Sequence, residues 1–318
     1  LADIGKDINR AKEFLQRGKL VAIPTETVYG LAGNALDEKA VLSIFETKNR
    51  PSFDPLIIHT DSIEKLGGYV TDISELALLL AEKFWPGPLT LLLPKSGIIP
   101  DLVTSGLDTV AVRIPNHPLT RQLLAALDFP LAAPSANPFG YISPTSAQHV
   151  NQQLGDKIAY ILDGGECGIG IESTIIGFAD HVPTVYRLGG LAIEDIEDVI
   201  GKVGLMSHSS SNPKAPGMLK SHYAPRKPFF LANRNQFQDE TEGSAAYLLF
   251  DRFLDNTDRQ YQKILSPSGD LREAAHNLFA FLRALDSQPV DRIFAEFVPD
   301  NDLGKAINDR LKRAAATD

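Results

Sequence analysis

The chain has 318 residues, 43% hydrophobic and 22% charged, and a formal net charge of −9. That length suits about two domains of ordinary globular composition. One cysteine, Cys167, excludes an internal disulfide and any cysteine-based zinc cluster. The acidic balance argues against tight non-specific nucleic-acid binding, which depends on neutralising phosphates. The opening LADIGKD carries charge where a signal peptide is apolar. No apolar run reaches the ~18 residues of a membrane span, so a cytoplasmic location without membrane contact is expected.

From the N-terminus, periodicity predicts a helix over 8–17, a strand over 20–23 and a helix over 38–48. In the second helix Ala40, Val41, Ile44 and Phe45 share one face. There follow a strand over 56–59, a helix over 73–84, and strands over 89–93 and 109–114. Next come a helix over 119–127, a strand over 131–133, a helix over 146–154, strands over 159–162, 173–178 and 184–187, and a helix over 193–203. The strands are short, often β-branched, and bounded by Pro, Gly or Asp. From 204 to 225 the pattern fails: Ser207, Ser211, Pro213, Pro216, Gly217 and Pro225 are loop chemistry. Beyond it, strands are expected over 229–232, 245–250 and 292–297, and helices over 271–285 and 303–315. Asp270 is placed to cap the first of these helices, with Glu273 returning the bond. The expected organisation is an α/β domain over 1–203, a linker over 204–227, and a small α/β domain over 228–318.

Charge is unevenly spread. No Asp or Glu occurs from 199 to 238, while Lys202, Lys214, Lys220, Arg226, Lys227 and Arg234 do. An acid-free basic segment suits either a polyanion such as a nucleotide phosphate or a solvated linker. Several chemistries lack their signatures: there is no P-loop, no H-E-x-x-H and no G-x-S-x-G. The seven histidines show no metal-ligand spacing.

Five polar clusters stand at predicted strand or helix ends, where open α/β sheets place ligands. They are Pro24–Leu31, Lys48–Pro51, His59, Thr109–Pro115, and Ala133–Asn137 with Ser143–Thr145. Lys48 and Arg50 suit phosphate oxygens, and equally the C-terminal end of a helix. Alternation puts Thr109, Ala111 and Arg113 on one strand face. An arginine there demands a partner, either a ligand carboxylate or an internal acid.

Together the motifs PTETVYGL (24–31), KNRP (48–51), PLIIH (55–59), WPGPLT (85–90), VRIP (112–115), PSAN (134–137), SPT (143–145), ESTI (172–175) and YRLG (186–189) resemble the threonylcarbamoyl-AMP synthase (YrdC/Sua) family. The stretches APGM (215–218), SHYAP (221–225) and LSPSGD (265–270) resemble the linker and second domain of its long form. The resemblance implies a YrdC-like twisted open sheet with helices, plus a smaller Rossmann-like C-terminal α/β domain. It implies an enzyme that condenses L-threonine, bicarbonate or CO2, and ATP to threonylcarbamoyl-AMP and pyrophosphate. The product then passes to the tRNA threonylcarbamoyl transferase machinery, with a weak contact to tRNA itself.

The resemblance also implies residues. Threonine would be held by Thr27, His59, Arg113, Ala133 and Ser173. ATP would be held by Lys48, Arg50, Asp54, Thr109, Ser135, Asn137, Ser143, Arg187 and Tyr223, with Lys48 and Arg50 as the catalytic cations. Mg2+ would accompany ATP, with no metal site in the protein. Asp54 departs from the family pattern, which has Asn before Pro-Leu, and an anion there would repel phosphates unless a metal or a base intervenes. The segment around Lys220 and Tyr223 would close over the nucleotide as a lid. Two other readings stay open at this level: carbamoyl transfer by a related domain, and a non-catalytic RNA-binding module.

Overall fold

The structure is a computed structural model describing residues 2–206, 213–239, 244–255 and 257–316. The first body begins with β1 (Asp3–Gly5), α1 (Ile8–Gln16), β2 (Val21–Ile23), β3 (Gly30–Asn34), α2 (Glu38–Lys48) and β4 (Ile57–His59). It continues through α3 (Glu75–Phe84), β5 (Leu89–Pro94), α4 (Asp101–Thr104), β6 (Thr109–Arg113), α5 (Pro118–Ala125), β7 (Leu131–Ala132) and α6 (Ala147–Leu154). It ends with β8 (Tyr160–Leu162), β9 (Thr174–Gly177), β10 (Thr184–Arg187), α7 (Ile193–Ile200) and β11 (Gly204–Leu205). The second body holds β12 (Phe229–Leu231), β13 (Ala245–Leu249), β14 (Gln262–Ile264), α8 (Leu271–Asp286), β15 (Arg292–Ala295) and α9 (Leu303–Ala314).

The first sheet has the order β1-β8-β2-β3-β7-β4-β6-β5-β9-β10-β11 and mixes parallel and antiparallel pairs. The second, β12-β15-β13-β14, is parallel throughout. This is the expected α/β architecture of a large twisted sheet and a smaller parallel one. Every predicted helix and strand is present, most with ends trimmed by one to three residues.

Four strands and one helix have no sequence forecast: β1, β3, β11, β14 and α4. β3 reads GLAGN, two glycines in five residues, which resembles a turn. Its glycines serve close approach instead: a Cβ on Gly33 would stand 3.0 Å from Leu20 and 3.3 Å from Ile44. The expectation of loop from 204 onward fails at Gly204–Leu205, which pair with β10. Ser207 and Ser211 lie outside the described residues.

Capping fixes the helices that matter for the site. Asp37 accepts from the Lys39 N–H at the start of α2, and Asn49 in the left-handed region (φ 53°) closes its end. Asp270 caps α8 as expected, accepting from Arg272 and Glu273 N–H groups. The reciprocal half of that motif is different. Glu273 accepts from the Ser266 and Ser268 hydroxyls, and the Asp270 N–H goes to Ser266. The serine turn before the helix thus satisfies both groups.

The two bodies are not separated by a solvated joint. Val28, Ile142 and Ile171 of the first body share one apolar cluster with Leu278, Phe279 and Ile307 of the second. Val28 belongs to PTETVYGL, so the second body packs directly beneath a site loop.

Candidate active site

β6 lies beside β4 and β5 in the first sheet. Ala111 pairs with Ile57 and Leu92, and Arg113 with His59. At about 3.3 Å per residue, Thr109 and Arg113 stand about 13 Å apart along one strand face. Between them Ile57, Leu92, Ala111, Ile175 and Tyr186 form an apolar floor, on which Ala215 and Met218 sit. Residues 213–225 thus lie across this face and include Lys220 and Tyr223 of the segment expected as a lid.

Beside the lid is a cavity of about 50 Å³, lined by Arg50, His59, Ala133, Ser135, Glu172, Arg187, Gly217, His222 and Tyr223 among others. Pro216, Gly217, His222 and Tyr223 of the segment form one wall of this cavity. Thr109 faces a different cavity of about 840 Å³, shared with Asp108, Tyr186 and Lys214.

Each cation of the site is held by internal groups. Arg113 donates to the Gly87 carbonyl (3.1 Å) and to Thr27 Oγ1 (2.9 Å). Its Nη2 lies 2.7 Å from Glu26 Oε1. The pair is close but skewed, for neither atom makes a directional hydrogen bond. Of the two partners the sequence allows, the structure supplies the internal acid.

Arg50 follows the left-handed Asn49 and turns back on its own loop. It donates to the carbonyls of Asp54 (3.0 Å) and Pro55 (2.7 Å), and lies 3.0 Å from the Asp54 carboxylate. Asp54 is fully buried. The cation that an acid at this position requires is therefore Arg50.

Lys48 Nζ donates to the carbonyls of Ser135 (2.6 Å) and Asn137 (2.5 Å), which ties α2 to the PSAN loop. It does not line the small cavity. Arg187 donates to the Ser173 carbonyl and hydroxyl, each at 3.0 Å, and to the lid carbonyl of Pro216 at 3.3 Å.

The structure thus gathers Arg50, His59, Ala133, Ser135, Arg187 and Tyr223 around the small cavity. Ser173 stands one bond behind, on Arg187, whereas Arg113, with Thr27 bonded to it, does not line this cavity. Ala133 spends its N–H on the Ile57 carbonyl. Asn137 donates to the Pro138 and Tyr141 carbonyls, while Ser143 donates to Glu172 Oε1 at 2.5 Å. Asn137 and Ser143 shape the loop rather than line the cavity. Thr109 belongs to the other end of the face.

Burial and like charges set the protonation states. Burial, then Arg113, holds His59 down to about 3. Burial, with Arg50, Lys48, Arg313 and Arg310 nearby, puts His222 well below its usual range. Both imidazoles are neutral at pH 7. Burial and Arg50 lower Lys48, and burial raises Asp54 against Arg50, Lys48 and Arg187. Burial brings Arg187 down to about 10, still charged at neutral pH. Among the described residues, no group of three or more His, Cys, Asp or Glu could hold a metal.

Residues 13–189 match the Sua5_yciO_yrdC family, described as telomere recombination. Residues 191–316 match the threonylcarbamoyl-AMP synthase C-terminal domain. The chain belongs to the threonylcarbamoyl-AMP synthase family. These are enzymes of the nucleotidyltransferase type, and the two matches together give the long, two-domain form.

The threonylcarbamoyl-AMP synthase of Pyrococcus abyssi is 44% identical over 324 residues, 97% of this chain and 94% of the relative. That of Bacillus subtilis is 40% identical over 320 residues, 97% of this chain and 92% of the relative. The crystal structure of P. abyssi Sua5 complexed with L-threonine aligns with a TM-score of 0.91 at 42% identity, covering 99% of this chain and 97% of that one.

Several groups at this synthase-family site carry no forecast from sequence. Glu26 and Glu172 stand inside quoted motifs, and their acidity beside arginines was the available signal. His222 and Gly217 stand in the linker motifs. Asp309, Arg310 and Arg313 of α9 gave no signal, because charges on an amphipathic helix ordinarily mark its solvent face.

Proposed function

We propose that the chain is an L-threonylcarbamoyladenylate synthase, joining L-threonine, bicarbonate or CO2, and ATP. One observation supports this reading above the others. Arg113 and Thr109 occupy the two ends of one strand face whose middle, at Ala111, is covered by Ala215 and Met218, with Arg50 and Arg187 on the cavity beside His59, the strand partner of Arg113. Threonine takes the Arg113 end, where its carboxylate replaces Glu26 as the partner of Arg113 Nη2. Neutral His59 adds a hydrogen-bonding ring without adding charge. The triphosphate lies by Arg50 and Arg187, with the nucleoside toward Thr109.

The reaction balances without a protein nucleophile. Threonine's amine attacks CO2, a C–N bond forms and one proton leaves, giving a carbamate. A carbamate oxygen attacks the α-phosphorus, and the Pα–O bond electrons depart with pyrophosphate. The protein aligns the reactants and offsets the charge building on the phosphates. Mg2+ arrives with ATP as part of the substrate and keeps most of its waters. The closed lid excludes water from an intermediate that water would hydrolyse. That intermediate then goes to the machinery that forms N6-threonylcarbamoyladenosine in tRNA, in the cytoplasm.

The test is pyrophosphate release from Mg·ATP with threonine and bicarbonate added or omitted. Release that needs both is expected. Release indifferent to threonine, or turnover of carbamoyl phosphate in its place, overturns the reading.

A further inference from the structure

The second body touches the lid through α9. Asn308, Asp309, Arg310 and Arg313 all lie on its buried side. A charged stripe turned inward is costly unless its members are paired. The pairing runs straight to the site. Arg313 Nη1 donates to two lid carbonyls, Gly217 at 2.5 Å and Leu219 at 2.8 Å. The backbone carbonyl of Arg313 accepts from the His222 N–H at 3.3 Å. One residue thus holds the lid at three points on both sides of Lys220.

The rest of the stripe fixes that residue in place. Arg313 Nε donates to Asp309 Oδ1 at 3.1 Å, and Asp309 also accepts from Arg310 at 2.9 Å. Arg310 Nε donates to Glu172 Oε2 at 3.1 Å, and its guanidinium lies 5.2 Å from the Tyr223 ring centre. Glu172 and Tyr223 both line the small cavity, whereas Arg310 and Arg313 do not. The cavity's own Arg187 also holds a lid carbonyl, Pro216, at 3.3 Å. A phosphate can draw Arg187 away from that carbonyl. Arg313 is anchored by Asp309, away from the cavity, and offers its donors to the lid whether or not a nucleotide is present.

We infer that Arg313 is a positioning residue for the nucleotide site, latching the lid from the second domain and so setting how tightly ATP is held. Threonine's end of the face is built by β4, β6 and the PTETVYGL loop; its His59 and Ala133 share the small cavity with Gly217 and His222, while Arg113 is held by Gly87, Thr27 and Glu26. The inference rests on the reading of the lid-covered face as the place for ATP. Through this latch the second domain sets the lid's equilibrium between shut and open.

The experiment uses the full chain as wild type, Arg313→Met, which keeps length without donors, and Arg313→Lys, which keeps a charged donor. Backbone hydrogen exchange across 213–225 is measured alongside KM for ATP and for threonine in pyrophosphate release. Loss of two charge-assisted bonds is expected to speed lid exchange and raise KM for ATP about tenfold or more in Arg313→Met. KM for threonine should stay within about twofold, since the Arg313 side-chain bonds named above go to the lid carbonyls of Gly217 and Leu219 and to Asp309. Arg313→Lys should recover a large part of both effects.

Unchanged lid exchange in Arg313→Met overturns the latch. So does a parallel rise in both KM values with a lowered melting temperature, the mark of general loosening. If Arg313→Met does not fold, Asp309→Asn, which frees the guanidinium's anchor, answers the same question. Should the wild type release no pyrophosphate, the functional reading falls, and the exchange measurement judges the latch alone.

Discussion

Replacing Arg113 by Ala perturbs stability and binding together, and a second substitution separates them. The guanidinium is buried and 2.7 Å from a Glu26 carboxylate that is itself 13% exposed. Truncation strands that carboxylate, which for buried pairs costs about 3–5 kcal/mol of folding stability. It also removes the group assigned to threonine's carboxylate. A buried charge contact of about 2–4 kcal/mol corresponds to about 30- to 1,000-fold in threonine requirement. Adding Glu26→Gln removes the stranded charge, so the double variant should regain most of the lost stability and none of the threonine affinity. Urea denaturation reads the first quantity and threonine titration of pyrophosphate release the second. A double variant that uses threonine like the wild type would refute the carboxylate assignment. So would a single variant whose ATP requirement rises while its threonine requirement does not.

Gly217 has φ 75°, and a Cβ there would stand 3.2 Å from Arg187 Cδ and from the Tyr223 hydroxyl. Gly217→Ala should therefore cost lid closure about 1–2 kcal/mol, seen as about a 5- to 30-fold rise in KM for ATP. Asn49 holds a left-handed turn between Lys48 and Arg50, so Asn49→Gly should be near neutral and Asn49→Ile should lower stability and ATP use together. His59 is held down to about 3, below the unfolded value of about 6.5. Between those values the unfolded chain carries the proton and the folded chain does not. Its contribution is full above pH 6.5 and lost toward pH 3, at about 1.4 kcal/mol per pH unit. Denaturation at stepped pH should show the slope reduced by one proton in His59→Asn, and an unchanged slope would contradict the burial argument.

Helices were legible where local chemistry announces their ends. Glu38–Lys48 is bounded by an Asp cap and a left-handed Asn, and its forecast ends agree with the structure. β3 was illegible because Gly33 serves a close contact with Leu20 and Ile44 and Gly30 one with Ala133, and such spacing is a tertiary fact. The cavity's polar residues came from ordered motifs; periodicity alone placed Thr109, Ala111 and Arg113 on one face. The strand pattern required a partner for Arg113 but could not choose between ligand and acid, because Glu26 approaches only once β2 and β6 are folded into one sheet. The inward charges of α9 were hidden for a related reason. Asp309 and Arg313 also make a one-turn ion pair of the kind common on exposed helices.

The apolar cluster that joins Val28, Ile142 and Ile171 to Leu278, Phe279 and Ile307 has a thermal consequence. Neither part can come apart without exposing oily surface belonging to the other, so heating melts them as one cooperative unit. A calorimeter should record a single heat-absorption peak, and the catalytic loops should keep their shape up to the temperature at which the tail end of the chain lets go.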